Sequence, residues 1–318
     1  MKNTKTKSNT NKMKKIKNVL LCGLGGVGCV CACAIHDNSC ATLKILVDEN
    51  RYKKYKEEPT IFNEKEYFFD YIKPNNTDFS ADLVIIATKD DGLDSAIENI
   101  KNFVNDETVI ISVLNGIHSE RKLSKVFKEE NIPISFFIGS SCIREGRRVH
   151  QNGNYDFIIG DKSGQITHNI ELLSSFFKDC NIRHKVSKKV EERYWKKFMV
   201  NVGLNQICTV ENKTFKEIKK DPQLVERMKK LICEVKLLAE KEGIKNSQSL
   251  YDNTMNFLIN EFEDATPSML QDIRAGRKTE VDIFAGEIIR LGLIHNIQTP
   301  ENEKIYKEIK AIEDIKIV

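Results

Sequence analysis

The sequence predicts an α/β protein in two parts, an N-terminal unit built on a parallel sheet and a C-terminal unit that is all helical. Three observations carry this expectation. A short apolar strand runs straight into a glycine loop over residues 18–28, NVLLCGLGGVG. Apolar strands then alternate with helical patterns up to about residue 188, the mark of a parallel-based α/β unit. From residue 189 onward the pattern becomes long and helical, with no convincing strand. At 318 residues the chain is long enough for two domains, each with its own core.

Composition narrows the function classes. The net charge of +4 is modest, and much of the positive excess lies in the opening MKNTKTKSNTNKMKKIK. Residues 1–17 are almost free of apolar side chains, so they are expected to form a solvated, disordered basic tail rather than a nucleic-acid arm. The apolar run that follows is too short and glycine-rich for a secretory signal. No stretch approaches the roughly 20 apolar residues of a membrane span, so a cytoplasmic protein is expected. The nine cysteines form no CxxC pair, and their odd number in such a compartment reads as reduced thiols, mostly buried. Cys29, Cys33, His36 and Cys40 fall near one helical face, but structural zinc usually draws on two separate knuckles, so no metal site is expected.

The loop Gly23-Leu24-Gly25-Gly26-Val27-Gly28 is GxGxxG between a strand and a helix. That context suits a dinucleotide: Gly23 allows the tight turn, Gly25 lets the backbone approach a pyrophosphate, and Gly28 lets helix and strand pack closely. The helix dipole meets the phosphate charge. A second strand over 42–47 ends at Asp48-Glu49-Asn50-Arg51. An acidic residue there suits the ribose hydroxyls of NAD, and an arginine suits the extra phosphate of NADP. Both types are present, so this stretch leaves the choice open. The strand 82–87 delivers Lys89 and the strand 109–113 delivers Asn115-Gly116 to their carboxyl ends, the edge where ligands lie in an open α/β sheet. Lys89 is thus a candidate for the cofactor phosphates and Asn115 for the nicotinamide pocket. Further strands are expected at 135–139 and 156–160 and a helix near 167–180. Residues 49–80 are rich in tyrosine and lysine and carry no usable motif.

In the helical part, EERYWKKFMVNVGLNQICTV over 191–210 is apolar on nearly every side from Phe198 to Cys208. Lys197, Asn201 and Asn205 nevertheless recur at i, i+4 and i+8, which stacks them on one stripe. Each unpaired buried polar group costs about 1–3 kcal/mol, so three in register point to a polar stripe facing a cleft. An amphipathic helix over 224–242 should stop at Gly243. Thr266 is expected to cap a helix through Ser268, and Thr279-Glu280-Val281-Asp282 has the spacing of a capping box, placing Ser268 and Glu280 at helix starts.

Together the glycine loop, Thr88-Lys89, Asn115-Gly116, the W-x-K-x₃-N-x₃-N run from Trp195 to Asn205, and SMLQDIRAGRKTEVD over 268–282 resemble the ketopantoate reductase family, in the family's order and over nearly the whole chain. The resemblance implies a Rossmann dinucleotide-binding domain (18–188), then a helical substrate and dimerisation domain (189–318), with the active site between them. It implies NADPH-dependent reduction of 2-dehydropantoate in the pantothenate and coenzyme A pathway, with NADH not excluded. Lys197 matches the family's catalytic lysine and Glu280 the carboxylate that orders the site. Asn201, Asn205 and Ser268 match substrate-binding groups, and Asn115 and Lys89 groups near the cofactor. Arg51 is the expected partner of the 2′-phosphate, and a homodimer is implied. Two other readings stay open: a related NAD(P)-dependent dehydrogenase of another small 2-keto or hydroxy acid, and a non-catalytic NADP(H)-binding regulator.

Overall fold

The computed structural model describes residues 15–76, 78–139, 141–262 and 266–316. The tail expected over 1–17 lies largely outside the described residues, but its last three join the fold. Ile16 is buried in the core, and the Lys17 amide donates to the Asp82 carboxylate at 2.9 Å. One apolar side chain beside a strand was enough to dock.

In chain order the first half contains β1 (Asn18–Cys22), α1 (Gly26–Asn38), β2 (Thr42–Leu46), α2 (Glu49–Glu57), β3 (Thr60–Phe62), β4 (Lys65–Tyr67), β5 (Tyr71–Ile72), β6 (Leu83–Ile86), α3 (Leu93–Ile100), β7 (Val109–Ser112), α4 (Ser119–Leu123), β8 (Ile134–Ile138), β9 (Ser141–Glu145), β10 (Arg148–Asn152), β11 (Asp156–Gly160), α5 (His168–Asp179) and β12 (His184–Val186). The strands β5-β2-β1-β6-β7 form one fully parallel sheet. Cys22 pairs with both Leu46 and Ile86, and Ile86 with Ser112, so four carboxyl ends lie level at one edge. The glycine loop, Asp48, Lys89 and Asn115 all leave that edge. Strand order reverses beside β1, and this is the edge at which ligands lie in open α/β sheets.

The parallel pattern does not extend to residue 188. Strand β11 pairs antiparallel with β8 and parallel with β12 in a separate sheet. The chain passes from β8 to β11 through the β9–β10 hairpin and no helix, so the strand–helix–strand crossover that usually returns strands in parallel is missing. A third sheet, β4-β3-β10-β9, gives structure to the motif-free residues 49–80. Its β3–β4 hairpin turns through Asn63 and Glu64, both at positive φ, as a tight two-residue hairpin requires.

The expectation that all nine cysteines are reduced also fails. Cys40 and Cys180 form a disulfide with Cα atoms 5.7 Å apart, because the ends of α1 and α5 meet at one corner. A separation of 140 residues hides such a pairing in the sequence. His36, from the same cysteine-rich face, packs edge-on against Tyr67 and Phe69.

Beyond β12 the described residues are helical: α6 (Val190–Val200), α7 (Gln206–Glu211), α8 (Phe215–Ile218), α9 (Pro222–Lys241), α10 (Ser247–Asn256), α11 (Ser268–Arg274), α12 (Ala285–His295) and α13 (Pro300–Lys316). None of the described helices is long and apolar enough to cross a membrane. Asp221 caps α9 through its carboxylate, Pro222 follows at the first position, and Gly243 beyond the end sits at φ +87°. The core of this half takes in Phe136, Ile158 and Ile117 from the first half, so one apolar cluster crosses between them.

Three local expectations need correction. The helix expected to run on through residue 208 is interrupted by a π-helical turn over Asn201–Asn205. Helix α11 starts at Ser268, preceded by Pro267, and Thr266 is no cap. The capping box at Thr279 does not form, because stronger partners take its members. Glu313 takes the Thr279 amide and hydroxyl at 2.6 Å each, and Asp282 accepts from Tyr306 and Lys310. Only a 3₁₀ turn, Val281–Ile283, follows Glu280 before α12 begins.

Candidate active site

The site begins with the loop after β7. Gly116, at φ +85°, turns the chain so that the Asn115 side chain faces the helical half. His118 ties this loop to the one after β6 by a 2.6 Å contact with Asp90. Lys197, in the last turn of α6, donates to Asn115 Oδ1 at 3.0 Å. Asn115 Nδ2 in turn donates to Glu280 Oε2 at 2.9 Å. Ammonium, carboxamide and carboxylate from three separate stretches thus form one chain of hydrogen bonds. Its polarity fixes which end of the amide is oxygen.

Burial sets the proton affinities. Desolvation pulls the Lys197 pKa down to about 8, against the attraction of the Glu280 and Glu120 carboxylates. Burial likewise pushes Glu280 up, against the hydrogen bond from Asn115 and the charges of Lys89 and Lys197. Both shifts favour neutral forms, so the proton on Lys197 is held loosely.

Asn201 and Asn205 bracket the π-helical turn, and their side chains meet at 3.4 Å, Nδ2 of Asn205 to Oδ1 of Asn201. The extra residue in that turn changes the helical register where the polar stripe lies, a device common at functional sites. Gln206 holds the turn in place: it donates to the Val202 carbonyl at 2.8 Å and accepts from the Ala285 amide at 3.1 Å. Helix α11 packs against this turn and opens with Ser268, whose side chain is exposed.

Lys89, expected near the cofactor phosphates, is paired with the helical half. Its ammonium lies 3.5 Å from Asp272 on α11, which also accepts from Arg277 at 2.7 Å. A charge from the sheet edge therefore reaches the helical half. Arg51 stands apart from the Lys197 cluster, on α2. It is largely exposed and lies 3.5 Å from Asp48, whose carboxylate also caps α2 by accepting the Arg51 amide at 2.8 Å. Glu49 is paired with Lys73 at 3.0 Å. Both acids after β2 thus have cationic partners.

The glycine loop fits a dinucleotide. Gly23 sits at φ +99°, and a Cβ on Gly28 would fall 2.0 Å from the Gly23 carbonyl oxygen. Over Gly25 a Cβ would meet nothing nearer than 3.7 Å, which leaves room for a phosphate above the first amides of α1. That first turn carries no acidic residue.

Two residues near Lys197 escaped the sequence reading. The Glu120 carboxylate on α4 is buried and accepts from Tyr194 at 2.8 Å and Ser119 at 3.0 Å. Burial raises its pKa. Tyr194, one turn before Lys197, stacks on Phe136, and the Lys197 ammonium lies 5.7 Å from the same ring. The spacing of Tyr194 and Lys197 was a usable signal; Glu120 had none.

Residues 19–164 match the family model described as ketopantoate reductase PanE/ApbA, and residues 189–313 match its C-terminal counterpart. The chain belongs to the ketopantoate reductase family. Membership places it among oxidoreductases. The 2-dehydropantoate 2-reductase of Aquifex aeolicus (strain VF5) is 28% identical over 250 residues, 76% of this chain and 80% of that one. Among solved structures, a D-mandelate dehydrogenase with NADH and anilino(oxo)acetate aligns with TM-score 0.82 at 21% identity, over 95% of this chain and 100% of the other. A dimeric ketopantoate reductase from Staphylococcus aureus aligns with TM-score 0.73 at 21% identity, over 94% and 99%. At these identities the two structures support the ketopantoate reductase fold, an α/β unit followed by a helical one, and nothing finer.

Proposed function

We propose that this ketopantoate reductase family member reduces 2-dehydropantoate to pantoate with NADPH. In this reading residues 18–188 carry the cofactor and residues 189–318 the substrate and a homodimer contact. The observation that carries the reading is the Lys197–Asn115–Glu280 chain at the ligand-binding edge of the sheet. When bound at the glycine loop, a nicotinamide cofactor would supply the hydride for the keto carbon. Lys197 Nζ supplies the proton to the developing alkoxide, and its charge stabilises that oxygen beforehand. Asn115 holds the ammonium in place and passes the influence of Glu280 to it. Asn201 and Asn205 orient the substrate without adding charge, and Ser268 binds its carboxylate. Arg51 takes the 2′-phosphate, and Lys89 lies near the cofactor phosphates.

A loosely held proton on a half-buried lysine serves turnover, and a non-catalytic regulator has no use for it. Another 2-keto acid as substrate is the second reading, since a D-mandelate dehydrogenase shares this fold. Steady-state oxidation of NADPH with 2-dehydropantoate, set against a panel of aliphatic and aryl 2-keto acids, tests both. Highest kcat/KM for 2-dehydropantoate is the expected result, and a clear preference for an aryl acid would replace it with the second reading.

A further inference from the structure

The hairpin β9–β10 brings a guanidinium to the glycine loop. Arg144 Nη1 donates to the Leu24 carbonyl at 2.6 Å, and Nε donates to the Gly146 carbonyl at 2.8 Å. Its Nη2 reaches toward the Tyr55 hydroxyl on α2 at 3.4 Å. The same strand presses close on the loop, since a Cβ on Gly26 would fall 2.3 Å from Cys142 Cβ. Arg144 therefore spans the gap between the glycine loop and α2, the two elements that flank the adenosine half of a dinucleotide.

Among the described residues its charge has no counterpart. Among the described residues no carboxylate lies within ion-pair reach of Arg144, whereas Arg51, Arg147 and Arg148 each have one. A half-buried guanidinium facing only carbonyls and a phenol, beside amides already arranged for an anion, lacks an anion. The platform is also firm. Arg147 lies over the Tyr55 ring at 4.2 Å and is anchored by the carbonyls of Glu58 and Pro59 and by Thr60. The Tyr55 ring packs edge-on against Tyr71.

We infer that Arg144 is a phosphate-binding residue of the cofactor site, taking phosphate oxygens on the adenosine side from across the glycine loop. This rests on the dinucleotide reading above. It also gives the motif-free segment a role, because α2 and the sheet around β3 position the arginine. An arginine suits that place because its planar fork can bridge two phosphate oxygens, which a lysine cannot.

Binding without turnover tests it. The intact protein, Arg144→Ala and Arg144→Lys are titrated with NADPH and with NADH in the absence of keto acid, over a series of salt concentrations. Arg144→Ala is expected to weaken binding by about tenfold or more, the scale of a hydrogen bond to a charged group. Arg144→Lys should recover part of the loss, and the salt dependence should become shallower in the alanine variant. Equal losses for both cofactors assign Arg144 to the pyrophosphate, and a larger loss for NADPH assigns it to the 2′-phosphate. Arg144→Gln keeps a donor for the Leu24 carbonyl without the charge, and it decides the matter should the alanine variant fold poorly. Binding of both cofactors within about twofold of the parent by a folded alanine or glutamine variant overturns the inference. A parent that binds neither cofactor overturns the dinucleotide reading itself, and Arg144 falls with it.

Discussion

Lys197 and Glu280 act on each other through a single carboxamide, that of Asn115, which accepts from the ammonium and donates to the carboxylate. The intervening amide keeps the two charges from collapsing into a direct pair, so the ammonium retains donors for a substrate oxygen. If Lys197 is the proton donor, Lys197→Ala should lower kcat by about 10²-fold or more. Cofactor affinity should hardly change. Lys197→Arg keeps the charge but is a very poor acid, and it should stay slow while still binding substrate. Near-normal kcat in the alanine variant with both substrates saturating would sink the mechanism.

The lowered pKa of Lys197 fixes the pH dependence. Reduction uses the protonated amine, so kcat for reduction should fall as pH rises through about 8, and kcat for oxidation of the alcohol should rise over the same range. Glu280 holds that pKa up, so Glu280→Gln should move the alkaline limb to lower pH. Rate profiles of parent and variant check the direction. An unmoved limb would uncouple the two groups.

The same shift predicts a stability effect with a definite sign. The folded-state pKa of Lys197 lies below its ordinary value of 10.5, so the charged form is disfavoured in the fold. That cost is fully present below about pH 8, shrinks as pH rises toward 10.5, and vanishes above it. Lys197→Met should therefore raise Tm at neutral pH, and the gain should fade in alkaline buffer. Thermal melts across this range would show it, and a destabilised variant at pH 7 would contradict it.

Arg51→Ala should raise KM for NADPH far more than KM for NADH. The side chain is mostly exposed and, among the described residues, pairs with Asp48 at the surface, so it can turn to a 2′-phosphate at little cost. Equal use of both cofactors by the parent protein would overturn the assignment.

Much of this arrangement was legible in the residues. The level edge of the parallel sheet follows from largely apolar strands whose carboxyl ends lead into Gly23, Asp48, Lys89 and Asn115. Lys197 could be singled out because a cationic side chain in an apolar helix requires an explanation, whereas Glu280, at an expected helix start, stood out only through the family resemblance. What stayed hidden depends on pairing across long stretches of chain. The antiparallel turn at β8 and β11, the Cys40–Cys180 contact and the approach of Arg144 to Leu24 leave no local period. The π-helical turn was invisible because Asn201 and Asn205 satisfy an ordinary helical spacing equally well. The capping box failed for a related reason: Glu313, remote in sequence, outcompeted the local partner.

The Cys40–Cys180 bond closes residues 40–180 into a covalent ring. Lys89, Asn115 and Arg144 lie inside that ring, whereas the glycine loop and Lys197 lie on the two arms that leave it. A protease that cuts once inside the ring, for instance at the exposed turn around Gly146, opens a peptide bond without releasing a fragment. Nicked protein should therefore migrate as one species until reductant is added, and then separate into two.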